Sequence, residues 1–300
     1  MDITRQQSCG FPGVIDTYGL GVRLGAYLQW IASFFAYQLS ADEASSMMGV
    51  NTSFHAAMFT ALIRATITRS PHFYPAEAYL LLLFCTCGTC STMMMSRRFL
   101  EEGGASERSV LSRLFPTPSL GHLFAVGLFL GTASYGVWFN FRGLDSLDVS
   151  VPCSSTVFFF APVILHGWFR TFLKVVFICA TVITSIVWLF TLLHVLLDSI
   201  DWVNNWIDVE YEEEDRSSEE VVFPSAMEIT IALIIFSLFV LAVELTLFWS
   251  RADGVYSLGS TGQLFPLVVG IAGLLRLLYI LGKNYIKGDL RFIRGNDDEG

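Results

Sequence analysis

The chain has 300 residues, of which 53% are apolar and only 15% charged, with a mean hydropathy of +0.56 and a formal charge of −9. Soluble chains carry about 25% charged residues, and here the apolar residues fall in runs longer than a soluble core uses. A soluble globular enzyme is excluded, and the composition is that of an integral membrane protein.

A helix needs about 20 mostly apolar residues to cross the hydrocarbon layer. Seven segments approach that length: Tyr18–Gln38, Ser53–Thr68, Pro75–Met95, Leu120–Phe141, Lys174–Leu197, Ala226–Trp249 and Leu264–Gly282. The second is the weakest, being short and carrying His55 and Arg64. Lipid offers no partner to an open backbone edge, so the runs are expected to be helices. The N-terminus lacks the basic start of a signal peptide, and Tyr18–Gln38 is long enough to span and stay. The expectation is an all-α polytopic bundle of seven transmembrane helices. Residues 1–17 are read as an N-terminal segment, 18–282 as the membrane domain and 283–300 as a tail.

Ser155–Arg170 is apolar and aromatic but short, and only Arg170–Lys174 separates it from the fifth span. It is read as an interfacial or re-entrant helix, with an eighth span as the alternative. Asp198–Ser225 differs in kind, with ten acidic residues and one arginine. Such a run resists folding and solvates a loop. Trp202 and Trp206 suggest that the fifth helix ends at its start, in an interfacial turn.

Seven spans place alternate connections on one side. The N-terminus, the His72 loop, Gly143–Cys153 and Arg251–Gln263 share a side with Arg5, Arg69, Arg142, Arg170, Lys174 and Arg251. Nine basic residues lie opposite, among them Arg97, Arg98, Lys283 and Arg294, which favours that second side as cytoplasmic. The N-terminus is then non-cytoplasmic, in the endoplasmic reticulum or another endomembrane. Cys9 and Cys153 share the non-cytoplasmic side, where a disulfide between them is possible; two unpaired thiols are the alternative. Asn51-Thr-Ser fits the glycosylation pattern but falls on the cytoplasmic side, and is read as a chance match.

Charges inside spans are costly and mark sites. They are Arg23, Arg64, Glu77 and Glu244 toward the non-cytoplasmic face, and His194, Glu228 and Arg276 toward the other. Glu244 lies in LFVLAVELTLFW; where such a carboxyl is desolvated, the neutral acid is favoured, which makes it a candidate proton donor or proton-coupling site. The alternative is an ion pair with Arg23 or Arg64 that fixes helix packing. Gly21 and Gly25 form a GxxxG pair, repeated by Gly127 and Gly131, and such pairs let helices approach closely. Cys85, Cys87 and Cys90 do not converge on one helix face and are read as packing residues, not metal ligands. There is no GxSxG, no phosphate-binding glycine loop, no dinucleotide fingerprint and no acidic magnesium motif. No cofactor and no nucleic-acid partner are expected. A seven-helix receptor is disfavoured because MMMSRRF lacks a DRY-like triplet and the seventh span lacks NPxxY.

YGLGVRLGAYLQW, the stretch from Gly143 to Lys174 and STGQLFPLVVGIAGLLRLLY together resemble a group of multi-pass fungal membrane proteins of largely unassigned function. Similar small proteins occur in secondary-metabolite pathways, some as integral-membrane terpene cyclases in meroterpenoid synthesis. That resemblance implies an isoprenoid substrate, protonated at an epoxide or alkene by a buried acid and closed by cation–olefin cyclisation. Glu244 and Glu77 are the candidate acids, with Arg23 or Arg64 tuning them, and Tyr27, Trp30, Tyr135, Trp138 and Trp249 are candidates for shielding the cation. The expected partners are membrane lipid and a lipophilic isoprenoid. The alternatives are a transporter or channel using the same buried charges, or a receptor or scaffold docking through the acidic loop.

Overall fold

A computed structural model describes residues 10–39, 41–68, 73–86, 88, 120–148, 155–205 and 226–287. In chain order the helices are α1 (Ile15–Tyr18), α2 (Leu20–Leu39), α3 (Ala41–Ile67), α4 (Pro75–Thr86) and α5 (Leu120–Trp138). A π-helical turn (Phe139–Gly143) joins α5 to α6 (Leu144–Asp148). Then come α7 (Trp168–Asn205), α8 (Ala226–Trp249) and α9 (Thr261–Lys287). Four short strands also occur among the described residues: β1 (Phe11–Pro12), β2 (Thr156–Phe158), β3 (Pro162–Ile164) and β4 (Ala252–Asp253).

Four of the described helical stretches are long and apolar enough to cross a membrane: Gly121–Leu147, Trp168–Leu197, Thr230–Trp249 and Thr261–Lys283. Their apolar surface looks outward; only 11% of the α7 window and 11% of the α9 window is buried. Ile183 and Leu189 on α7 and Val268 and Leu275 on α9 are among the exposed residues. In water so continuous an apolar exterior would associate; in lipid it costs nothing. The protein is therefore a membrane protein by its surface as well as its composition.

The helices that carry polar residues are on the inside. α2 and α3 have the length to span, at 20 and 27 residues, but Arg23, Gln29, Asn51 and His55 dilute their hydropathy. All four of these side chains are buried. α4 is the most enclosed, with Ala76 to Leu82, Phe84 and Cys85 almost all buried. The main core forms around it, from Tyr18, Val22 and Trp30 on one side to Val243 and Leu247 on another.

Two close crossings hold the frame. α2 packs most extensively on α9, and the Gly21/Gly25 pair is the reason. A Cβ at Gly21 would meet the Gln263 carbonyl at 2.6 Å, and one at Gly25 would meet the Pro266 carbonyl at 2.3 Å. α5 packs on α7, where a Cβ at Gly136 would lie 2.3 Å from the Phe177 ring. Gly127 and Gly131 face Trp188 and Phe59 at looser distances, 3.1 and 3.3 Å.

Ser155–Arg170 is neither an interfacial helix nor a span. It is an antiparallel hairpin, Thr156 opposite Ile164 and Phe158 opposite Pro162, followed directly by α7 from Trp168. Pro162 has no N–H for a helix interior, and the β-branched residues of STV and PVI suit a strand. Phe160 turns the hairpin with φ 58. The fifth helix begins earlier than expected and continues through Trp202 to Asn205, past the turn expected at Asp198. The acidic run beyond it, the part of the third segment after Gly88, and Cys9 and Cys153 lie outside the described residues.

One end of the bundle is assembled from the segments that alternate connections place together. β1 pairs in parallel with β4, Phe11 opposite Ala252, and Phe11 stacks on Tyr74 with ring centroids 4.6 Å apart. The hairpin is pinned to α8 and its end: Thr246 Oγ1 accepts from the Phe158 N–H at 3.1 Å, and Ser250 donates to the Thr156 carbonyl at 2.8 Å. Tyr79 donates to the Phe158 carbonyl at 3.2 Å.

Candidate functional site

The first turns of α2 present three faces at helical spacing. Gly21 and Gly25 meet α9. Arg23 and Tyr27, one turn apart, meet α8. Val22 and Gln29, two turns apart, look toward α3.

On the α8 face, Arg23 is fully buried and its Nε lies 2.9 Å from Glu244 Oε1. The carboxyl approaches off the N–H axis, so Nε has an ion pair but no aligned hydrogen bond, and Nη2 has no hydrogen-bond partner among the described residues. Nη1 donates to the Tyr18 carbonyl at 3.2 Å. Tyr27 donates to the same Glu244 oxygen at 3.0 Å. The Tyr256 ring covers the guanidinium, its centroid 5.1 Å from Arg23 Cζ. Partial burial pushes the Tyr256 phenol upward; the Arg23 charge opposes this and the Glu244 charge adds to it. Of the two pairings open to Glu244, the structure forms the one with Arg23. Arg64 is exposed on α3. Glu244 is also less enclosed than its sequence neighbours imply, since its side chain is 34% exposed.

Glu77 is linked to this pair through Tyr18 but is differently held. It is 1% exposed. Tyr18 donates to Oε1 through a short hydrogen bond, and the Tyr74 N–H donates to Oε2 at 2.8 Å. The Tyr18 hydroxyl in turn accepts from the Val14 N–H at 2.9 Å. No ion pair to Glu77 forms among the described residues. Arg23, Glu244 and Glu77 thus belong to one polar cluster, joined through the main chain and side chain of Tyr18.

Arg276 pairs with Glu43 at 2.9 Å, a residue that the sequence reading did not single out because it lies between two expected spans. The Glu228 side chain lies outside the described residues. The aromatic candidates are dispersed. Tyr27 and Trp30 adjoin one another at 5.7 Å, Tyr135 and Trp138 at 5.3 Å, and Trp249 stacks on Phe158 at 5.8 Å. Asn51 is 2% exposed and donates to Ser33, so it has no room for a glycan. Cys85 is a buried cysteine that forms no disulfide among the described residues. No group of metal-ligating side chains occurs among the described residues.

On the α3 face lies a cavity of about 630 Å³ between α2, α3 and α9. Its lining is mostly apolar, with Phe54 and Met58 from α3 and Phe265 from α9. Neither Glu77 nor Glu244 is among the lining residues. Asp16, which accepts a hydrogen bond from Ser260, stands at one end. Gln29 lines it farther along α2. Composition and spacing could not show this cavity, because it depends on how far α3 stands from the α2–α9 pair.

No protein-family model matches the chain, and no curated protein or solved structure matches it either.

Proposed function

We propose that the chain is an integral-membrane enzyme that cyclises or isomerises a lipophilic isoprenoid by acid initiation, without a metal. α2, α3 and α4 complete a seven-span bundle in this reading, with the N-terminus on the non-cytoplasmic side of an endomembrane. The resemblance to fungal pathway proteins is part of the proposal.

The observation that carries it is the state of Glu77. This carboxyl is enclosed, has both oxygens bonded to neutral donors, and is linked through Tyr18 and Arg23 to a second carboxyl whose charge Arg23 already balances. Two carboxyls in contrasting surroundings suit one proton donor and one charge stabiliser. Glu77 would give its proton to an epoxide oxygen. The C–O bond breaks, an alkene pair closes the ring, and the carboxylate takes back a proton from the product cation.

Microsomes containing the protein are expected to convert an epoxidised prenyl substrate. Glu77→Gln should abolish conversion at unchanged protein level, and Glu244→Gln should reduce it. Full conversion by Glu77→Gln removes the acid from the proposal, and no conversion by the native protein removes the reaction.

A second reading, a transporter, is favoured by one contact. Glu244 is partly exposed while its partner Arg23 is fully enclosed, so a proton reaching Glu244 would neutralise it and open the pair. Flux of protons or organic anions into liposomes holding the purified protein tests it, and zero flux sets it aside.

A further inference from the structure

We infer that the cavity between α2, α3 and α9 is a binding site for a lipophilic molecule bearing one hydrogen-bond donor, a long-chain alcohol being the simplest member of the class. The inference goes beyond the proposed reaction and does not depend on turnover, since the cavity lies on a different face of α2 from Glu77 and Glu244.

Three observations support it. The volume, about 630 Å³, falls in the range of about 300–1,000 Å³ that encloses a drug-sized ligand. The walls are apolar, from Val22 on α2, Phe54 and Met58 on α3, and Phe265 on α9. Of the polar side chains on the lining, Asp16, Thr17, Ser46, Ser53 and Gln29, only that of Gln29 is buried. Gln29 lines the cavity, is 3% exposed, and its Oε1 has no hydrogen-bond partner among the described residues.

An amide oxygen without a donor is costly in an apolar setting, by about 1–3 kcal/mol. Gln29 stands nine residues into α2, ~14 Å along its axis from Leu20, too deep for the bundle end to supply a donor. Main-chain donors in the middle of a helix are committed to the helix itself. An oxygen in this position recognises a hydroxyl or N–H brought by the ligand. Charge argues against an ionic head, because no cation or anion lines the deep part of the cavity. Asp16 at the far end is engaged by Ser260. The occupant is therefore neutral, long and apolar, with its donor at Gln29.

The test uses the full chain in phosphatidylcholine nanodiscs and a photoreactive diazirine analogue of oleyl alcohol. Labelling is expected on peptides from α2, α3 or α9, with unlabelled oleyl alcohol competing. Its methyl ether and 1-octadecene, which lack the donor, should compete about tenfold less well, the cost of one hydrogen bond. Gln29→Leu should erase the preference for alcohol over ether while labelling persists. Ala57→Trp, on the cavity wall and exposed on α3, should block labelling without lowering the melting temperature. Labelling confined to other helices, equal competition by 1-octadecene, or an unchanged alcohol preference in Gln29→Leu would each overturn the inference.

Discussion

Arg23 Nε stands 2.9 Å from Glu244 Oε1, with the guanidinium fully enclosed and the carboxyl side chain 34% exposed. The asymmetry sets the direction of a mutational test. Removing Glu244 leaves a charge with no access to solvent, a loss of about 3–5 kcal/mol for a buried pair. Solvent reaching the carboxyl moves it toward the lower figure. Arg23→Met leaves a carboxyl that can rehydrate, and should cost less. We expect Glu244→Leu to lower the melting temperature more than Arg23→Met, and the double replacement to recover most of the loss. Equal losses that add in the double variant would show that the pair is not coupled.

The α2–α9 crossing depends on absent side chains. A methyl at Gly25 would press on the Pro266 main chain, which cannot swing aside as a side chain would. Gly25→Ala is therefore expected to destabilise by about 1–3 kcal/mol, the cost of overpacking. Gly282, in α9 with open space around it, is the control. There alanine should be neutral or stabilise by about 0.5–1 kcal/mol through helix propensity. Thermal melts of the two variants in the same detergent decide; equal shifts would mean that the crossing can relax.

Arg170 tests whether an exposed ion pair or a helix irregularity is being stabilised. It makes two 2.7 Å bonds to Asp145, whose side chain is 60% exposed. It also donates to the Asn140 and Phe141 carbonyls, at 2.7 and 3.3 Å, within the π-helical turn. The exposed pair alone is worth about 0.2–1 kcal/mol. Carbonyls released by the wider turn need a donor, and each charged hydrogen bond contributes about 1.5–3 kcal/mol. Arg170→Met should thus destabilise clearly more than Asp145→Asn. The reverse order would assign the stabilisation to the ion pair.

Tyr256 gives the pH dependence. Its phenol is displaced upward from 10.0, chiefly by partial burial. Stability linked to the neutral phenol is therefore complete below pH 10 and declines as pH rises toward the higher folded value. The ring is about half exposed, so the effect is small. Alkaline melting curves should fall less steeply above pH 10 for Tyr256→Phe than for the native chain. Parallel curves would show that the displaced phenol contributes nothing.

Membrane character was determined by sequence alone, because an apolar run of about twenty residues has few other fates. The bounds of α8 coincide with the expected segment, Ala226–Trp249. Depth within each span also placed Arg23, Glu77 and Glu244 in one half of the bundle. Which of them pair was decided only by tertiary structure, since pairing depends on how each helix is rotated, and lipid-facing Leu and Ile set no rotation. The same holds for the Tyr18–Glu77 bond and for Glu43 with Arg276, whose partners lie 59 and 233 positions apart in the chain. The segment from Ser155 to Ile164 misled because aromatic apolar residues suit helix and strand alike, and Pro162 was the one local sign of a hairpin. The cavity at Gln29 had no local sign at all: it is the space left when two glycines draw α2 against α9 and α3 cannot follow.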